Sequence, residues 1–113
     1  MSNLDDNLAA KKCVPCTSDT PRLGPAEIQK LLPQVPGWKV VSDKLERRFE
    51  FPDFRKAMTF VNRMADVANA EDHHPDFAVH YNKVDVTIWT HSVGGLSEND
   101  FILAAKLGQA NAA

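Results

Sequence analysis

The sequence has no apolar run approaching the ~20 residues that span a bilayer, and its opening, Met1-Ser2-Asn3-Leu4-Asp5-Asp6, has neither the basic nor the apolar region of a signal peptide. A membrane partner is therefore not expected, and the expected compartment is the cytoplasm. Basic blocks are missing as well. The chain carries 13 Lys and Arg against 15 Asp and Glu, a net charge of −2, which argues against a protein that grips a phosphate backbone, so nucleic acid is not expected as a partner. Cysteine is scarce. The only two, Cys13 and Cys16, form a C-x-x-C in a polar opening stretch. A structural zinc needs four ligands and no second pair exists, and redox pairs of this kind normally start a helix inside a folded domain, so these read as reduced thiols.

Residues 1–22 show no sustained apolar period and read as a mobile N-terminal tail. With 43% apolar and 25% charged residues in a total of 113, the remainder, residues 23–110, suffices for one core and one domain without disulfide staples. Pro25 suits the first position of a short helix over Ala26 to Leu32, which Pro33 and Pro36 end. Gly37 to Val41 and Leu45 to Phe51 read as strands joined by a turn at Ser42-Asp43. Trp38 suits either a core anchor or a ligand wall. Asp53 is a good N-cap for a helix from Phe54 to about Asn69, with Phe54, Ala57, Met58, Val61, Ala65 and Ala68 as its apolar stripe, widened by Phe60, Met64 and Val67. Phe77 to Tyr81, a turn at Asn82-Lys83 and the alternating Val84 to Thr90 give a second hairpin. Ser97 then caps a last helix that Gly108 is expected to stop after Leu107. Hairpin-linked strands imply an antiparallel sheet, and long helices must bury their stripes. The expected fold class is α+β, a two-layer domain with a four-stranded antiparallel sheet and helices on one face.

What the sequence does have is a concentration of imidazole. All four histidines, His73, His74, His80 and His91, lie between positions 73 and 91. An imidazole has an unperturbed pKa of about 6.5 and so gives and takes protons near neutrality. Pro75 holds His74 extended, which sends His73 and His74 to opposite sides, and folding the hairpin carries His91 back towards them. One isolated histidine is usually a surface or packing residue, whereas three at hairpin-linked positions call for chemistry. Metal ligation fits less well, because adjacent histidines do not aim their rings at one point, and no metal is expected.

The run His73-His74-Pro75-Asp76, the Tyr81-Asn82-Lys83-Val84 turn, Thr90-His91, Gly94-Gly95-Leu96-Ser97 and Asp100 resembles the pterin-4a-carbinolamine dehydratases. The resemblance continues upstream through Pro36-Gly37-Trp38, Arg47 to Phe51, Asp53-Phe54 and Phe60 to Arg63, and spans roughly residues 22 to 110. It implies a dehydratase that takes water from a 4a-hydroxytetrahydropterin to give quinonoid dihydropterin, in tetrahydropterin recycling, with neither metal nor redox cofactor. It implies His73 and His91 as acid/base catalysts and His74 as the residue that holds the pterin, with Pro75 fixing its backbone. Asp100 matches an acid at the edge of the site, although a first-turn helix position also accounts for it. Trp89, on the same strand face as His91, suits either stacking near the pterin or packing. His80 points away and reads as exposed. A homo-oligomer, dimer or tetramer, is the implied assembly. The competing class is a non-enzymatic interaction module of the transcriptional-coactivator kind.

Overall fold

The computed structural model describes residues 8, 10–13 and 21–112, so that Cys16 lies outside the described residues. Helix α1 spans Pro25–Leu31, strand β1 Lys39–Val41, β2 Lys44–Glu50, helix α2 Phe54–Glu71, β3 Asp76–His80, β4 Lys83–Ile88 and α3 Glu98–Ala112, with 3-10 turns at Leu32–Gln34 and His91–Val93. The four strands form one antiparallel sheet in the order β1-β2-β4-β3. This is the α+β order expected from the sequence.

Register explains which face is covered. Leu45, Arg47 and Phe49 of β2 stand opposite Ile88, Val86 and Val84 of β4, and all of these except Arg47 are buried. The alternate residues face outward, where Arg48 grips Asp85 through Nε at 2.6 Å and Nη2 at 3.0 Å. That exposed pair holds the Asp85 carboxyl below its usual range and raises the Arg48 guanidinium. On the covered face, α2 supplies Ala57, Phe60, Val61, Met64 and Ala68, and α3 supplies Phe101, Ile102, Leu103, Ala104 and Leu107. Phe60 packs between Phe49 and Phe51, with ring centroids 4.5 and 5.4 Å away.

Local chemistry sets the ends. The Asp53 carboxylate accepts from Lys56 N–H at 2.8 Å and starts α2. Ser42 and Asp43 both take positive φ, 51° and 60°, the combination a two-residue hairpin turn requires.

Several boundaries differ from those the sequence suggests. The second hairpin turns at Tyr81 and Asn82, with Tyr81 at φ 54°, one residue earlier than expected. Phe54, at the start of α2, is 50% exposed and Ala65 is also exposed, so the buried stripe is rotated towards Phe60 and Met64. Gly108 lies inside α3 because nothing there demands a left-handed residue, and helix formers on both sides outweigh the ~1 kcal/mol glycine penalty. The tail is held at its described residues. Leu8 is 2% exposed within the core, Lys11 Nζ meets Glu98 Oε2 at 2.7 Å, and Cys13 N–H donates to Glu71 Oε1 at 2.8 Å. These contacts are long-range, and a lone leucine without periodic neighbours carries no local signature of them.

Candidate functional site

The site is built where α2 ends, α3 begins and the β3–β4 hairpin opens. Helix α2 stops because Asp72 takes the left-handed conformation, φ 51° and ψ 40°. The His73 N–H then reaches back to Ala68 O at 3.2 Å, and Asp72 N–H reaches Asn69 O at 3.4 Å, the paired closure of a Schellman motif. His73 is therefore set by the helix end itself, with Pro75 leading into β3 immediately after.

Its imidazole meets Asp100. His73 Nε2 lies 2.7 Å from Asp100 Oδ1, with the histidine side chain 11% exposed and the carboxylate fully buried. The second carboxylate oxygen accepts from the Thr90 hydroxyl and from Ser97 N–H, both at 2.8 Å. Because the Thr90 hydrogen goes to Asp100, the Ser97 hydroxyl, 2.8 Å from Thr90 Oγ1, donates to Thr90. Three donors converge on Asp100, and a carboxylate in this setting makes His73 the donor through Nε2–H, leaving Nδ1 as the ring nitrogen able to accept a proton. Asp100 thus accepts from Ser97 N–H in the first turn of α3 and also lies against the His73 ring.

His91 comes next to Thr90, so the same carboxylate ties His73 to the segment that carries His91. The strand ends at Ile88, and His91 opens the 3-10 turn beyond an isolated bridge between Thr90 and Gly95, three residues past the strand end where the sequence reading placed it. Its ring stacks on Trp89 with centroids 3.9 Å apart and planes 26° apart. Trp89 is half-buried, donates Nε1–H to Asp76 Oδ2 at 3.3 Å and lies under Lys44 Nζ at 4.4 Å. A second tie thus joins the β3 start, just after Pro75, to the β4 end. His74 is exposed, and its Nε2 lies 3.1 Å from Asn69 Oδ1, so adjacent histidines engage different partners. His80 stands apart on the outer face, its side chain 62% exposed and 3.5 Å from Asp85.

Glu71, two residues before His73, has a carboxylate occupied by Cys13 N–H and by Lys106 Nζ at 3.6 Å. The Cys13 hydrogen bond chiefly holds its pKa below the usual range, against the upward push of burial. Thr90, Ser97 and Asn69 are the members of the site that the sequence reading did not single out. Ser97 followed by an acid three residues on was a usable signal, since that spacing makes reciprocal first-turn bonds. Among the described residues, no three His, Cys, Asp or Glu side chains gather as metal ligands would.

Comparison with known proteins places this geometry in context. A family model described as Pterin 4 alpha carbinolamine dehydratase matches residues 21–110. A protein of Nitrosospira multiformis named "Putative pterin-4-alpha-carbinolamine dehydratase" is 45% identical over 107 residues, 95% of each chain. One of the same name from Xanthomonas oryzae pv. oryzae is 52% identical over 96 residues, 83% of this chain and 81% of its own. A crystal structure from Brucella melitensis, described as a transcriptional coactivator/pterin dehydratase, superposes with a TM-score of 0.77 at 37% identity, covering 80% of this chain and 98% of that one.

Proposed function

Since the chain belongs to the pterin-4a-carbinolamine dehydratase family, a family of hydro-lyases, we propose that it removes water from a 4a-hydroxytetrahydropterin by histidine acid–base catalysis, serving tetrahydropterin recycling. A carbinolamine loses hydroxide poorly. One group must protonate the leaving oxygen while another takes the proton from the ring nitrogen, and each positioned catalyst is typically worth 10²–10⁴-fold. His73 is the base. The buried Asp100 carboxylate fixes its tautomer and stabilises the imidazolium that forms when Nδ1 takes the proton, the role of the carboxylate in any acid–histidine pair. His91 is the acid, held by its stack on Trp89. His74 and Pro75 hold the pterin edge, and Asn69 sets the His74 ring. The observation that carries this reading is Asp100, wholly buried yet aimed at His73.

In the same reading the protein is cytoplasmic and assembles as a homo-oligomer. The open edge of β3 and the exposed Phe77, Tyr81 and Phe54 support assembly. An interaction module of the kind named for the Brucella protein is the competing reading, and it gives the Asp100 network no task.

The test is stopped-flow absorbance of 4a-hydroxytetrahydropterin generated in situ, with the spontaneous loss of water as control. Acceleration is expected, with a fall of ~10²-fold or more in His73→Ala and in His91→Ala. Full rates in both variants would overturn the site, and no acceleration by the folded protein would overturn the enzyme.

A further inference from the structure

The two histidines read as base and acid are held by opposite means. His73 is set by the end of α2 and by a buried carboxylate. His91 is exposed on a 3-10 turn, and among the described residues no hydrogen bond or ion pair reaches its ring. The contact that orients it is the stack on Trp89, with centroids 3.9 Å and planes 26° apart. Whatever fixes the indole therefore fixes the imidazole.

Trp89 lies one residue past the end of β4, beyond the last ladder pair, Leu45 with Ile88. Ile88 is buried, so by alternation Trp89 faces outward. Both flanking strands then reach it. From β3, Asp76, which stands opposite Thr87, accepts the indole Nε1–H through Oδ2 at 3.3 Å. From β2, Lys44, the residue before Leu45, places Nζ 4.4 Å from the ring centroid. An indole has two side-chain torsions, and a bond at its edge together with a charge over its face specifies both. Among the described residues neither Asp76 nor Lys44 forms an ion pair, so the indole is the partner of each.

We propose that Asp76 and Lys44 are positioning residues for His91: from the strands on either side they hold the Trp89 indole in the plane on which the imidazole stacks. The role rests on His91 being the acid of the dehydration. An acid serves the leaving oxygen only while its ring is aimed, and a misplacement on the order of 1 Å costs about 10²-fold in rate. Asp76 directly follows His74-Pro75, so the chain that carries His74 also supports His91.

The experiment has two arms, both on the full chain. Asp76 is exposed and Lys44 half-buried, so substitutions there leave the core intact. In the first arm the His91 Cε1–H signal of ¹³C-histidine-labelled protein is followed by NMR at alkaline pH, where imidazoles are neutral. His91→Gln assigns the signal, and Trp89→Leu gives its position without the indole ring current. The native signal should lie upfield of that reference. Asp76→Ala should move it about halfway back or more and Lys44→Met a smaller part of the way, while Asp76→Asn, which keeps an acceptor, should leave it near the native position. In the second arm, stopped-flow dehydration should show kcat lowered about tenfold in Asp76→Ala and roughly two- to fivefold in Lys44→Met, with KM within about twofold and Asp76→Asn close to native. A His91 signal unmoved by Asp76→Ala would overturn the proposal. So would a loss in KM alone, or an Asp76→Asn variant as slow as Asp76→Ala, which would make the charge of the carboxylate and not its grip on the indole the cause. The first arm uses no substrate. If the native chain fails to accelerate dehydration, the dehydratase reading falls, and the His91 signal still supports or overturns the positioning.

Discussion

The two ends of α3 treat buried polar groups in opposite ways. At its start Asp100 is fully enclosed and both its carboxylate oxygens are bonded, by His73, Thr90 and Ser97. Along its second half Trp38 Nε1 and Gln34 Oε1 are enclosed with no hydrogen-bond partner among the described residues, near Arg47. A closed network fixes one geometry and so can hold a catalytic ring in place. An open one leaves free energy available to whatever completes it. The first turn of α3 thus meets a completed polar network and its second half an incomplete one.

Removing the hub of the closed network should have the largest effect. Asp100→Ala strands three donors in the interior and is expected to lower stability by about 3–5 kcal/mol, measured by denaturant unfolding. A loss under 1 kcal/mol would show that the network is not shared as described. Thr90→Val removes one of the three donors and breaks the tie to Ser97, for an expected loss of about 1–3 kcal/mol. It should also slow dehydration, because the Asp100 side chain that holds His73 is then less firmly set. An unchanged rate would make Thr90 merely structural. At the open end the sign should reverse. Trp38→Phe removes a buried N–H that has no partner, so stability should stay within about 1 kcal/mol of the parent or rise. A drop of several kcal/mol would mean that the indole N–H is bonded in solution.

The smallest effect is expected at Glu71, between the two ends. Its folded pKa lies below the usual value of 4.5, so its contribution is fully present above that value and is lost as pH falls through the folded pKa. Glu71→Gln should therefore flatten the stability curve just below pH 4.5 and change little at pH 7. Unaltered acid sensitivity would place the responsible carboxylate elsewhere.

How much of this was legible in the sequence depended on range. The hairpins and the cap at Asp53 follow from backbone preferences of a few neighbouring residues, and all are present; the Ser97 hydroxyl instead bonds Thr90. The histidines were legible as a cluster. The tie from His73 to the segment that carries Thr90 was not, because Asp100 joins residues 27 apart and 10 apart through side-chain bonds that no periodicity encodes. The same applies to Leu8, whose burial depends on elements far along the chain. Gly108 misled for the converse reason: its local signal ends helices, yet packing carries α3 past it. Trp38 shows the limit most clearly. Its sequence setting allowed both a core and a wall, and in the fold the ring is packed in the core while the residue also borders a groove.

Lys11 on Glu98 and Cys13 on Asn99 join positions 87 and 86 residues apart. A chain made from its amino end therefore presents this segment first and completes it last. While synthesis proceeds, Leu8 has no seat, because α3 is still within the ribosome. Closing so long a loop adds little to the entropy already spent on the rest of the fold, since that cost grows only with the logarithm of length. The burden is one of timing: the contacts of Leu8, Lys11 and Cys13 form only once α3 is in place.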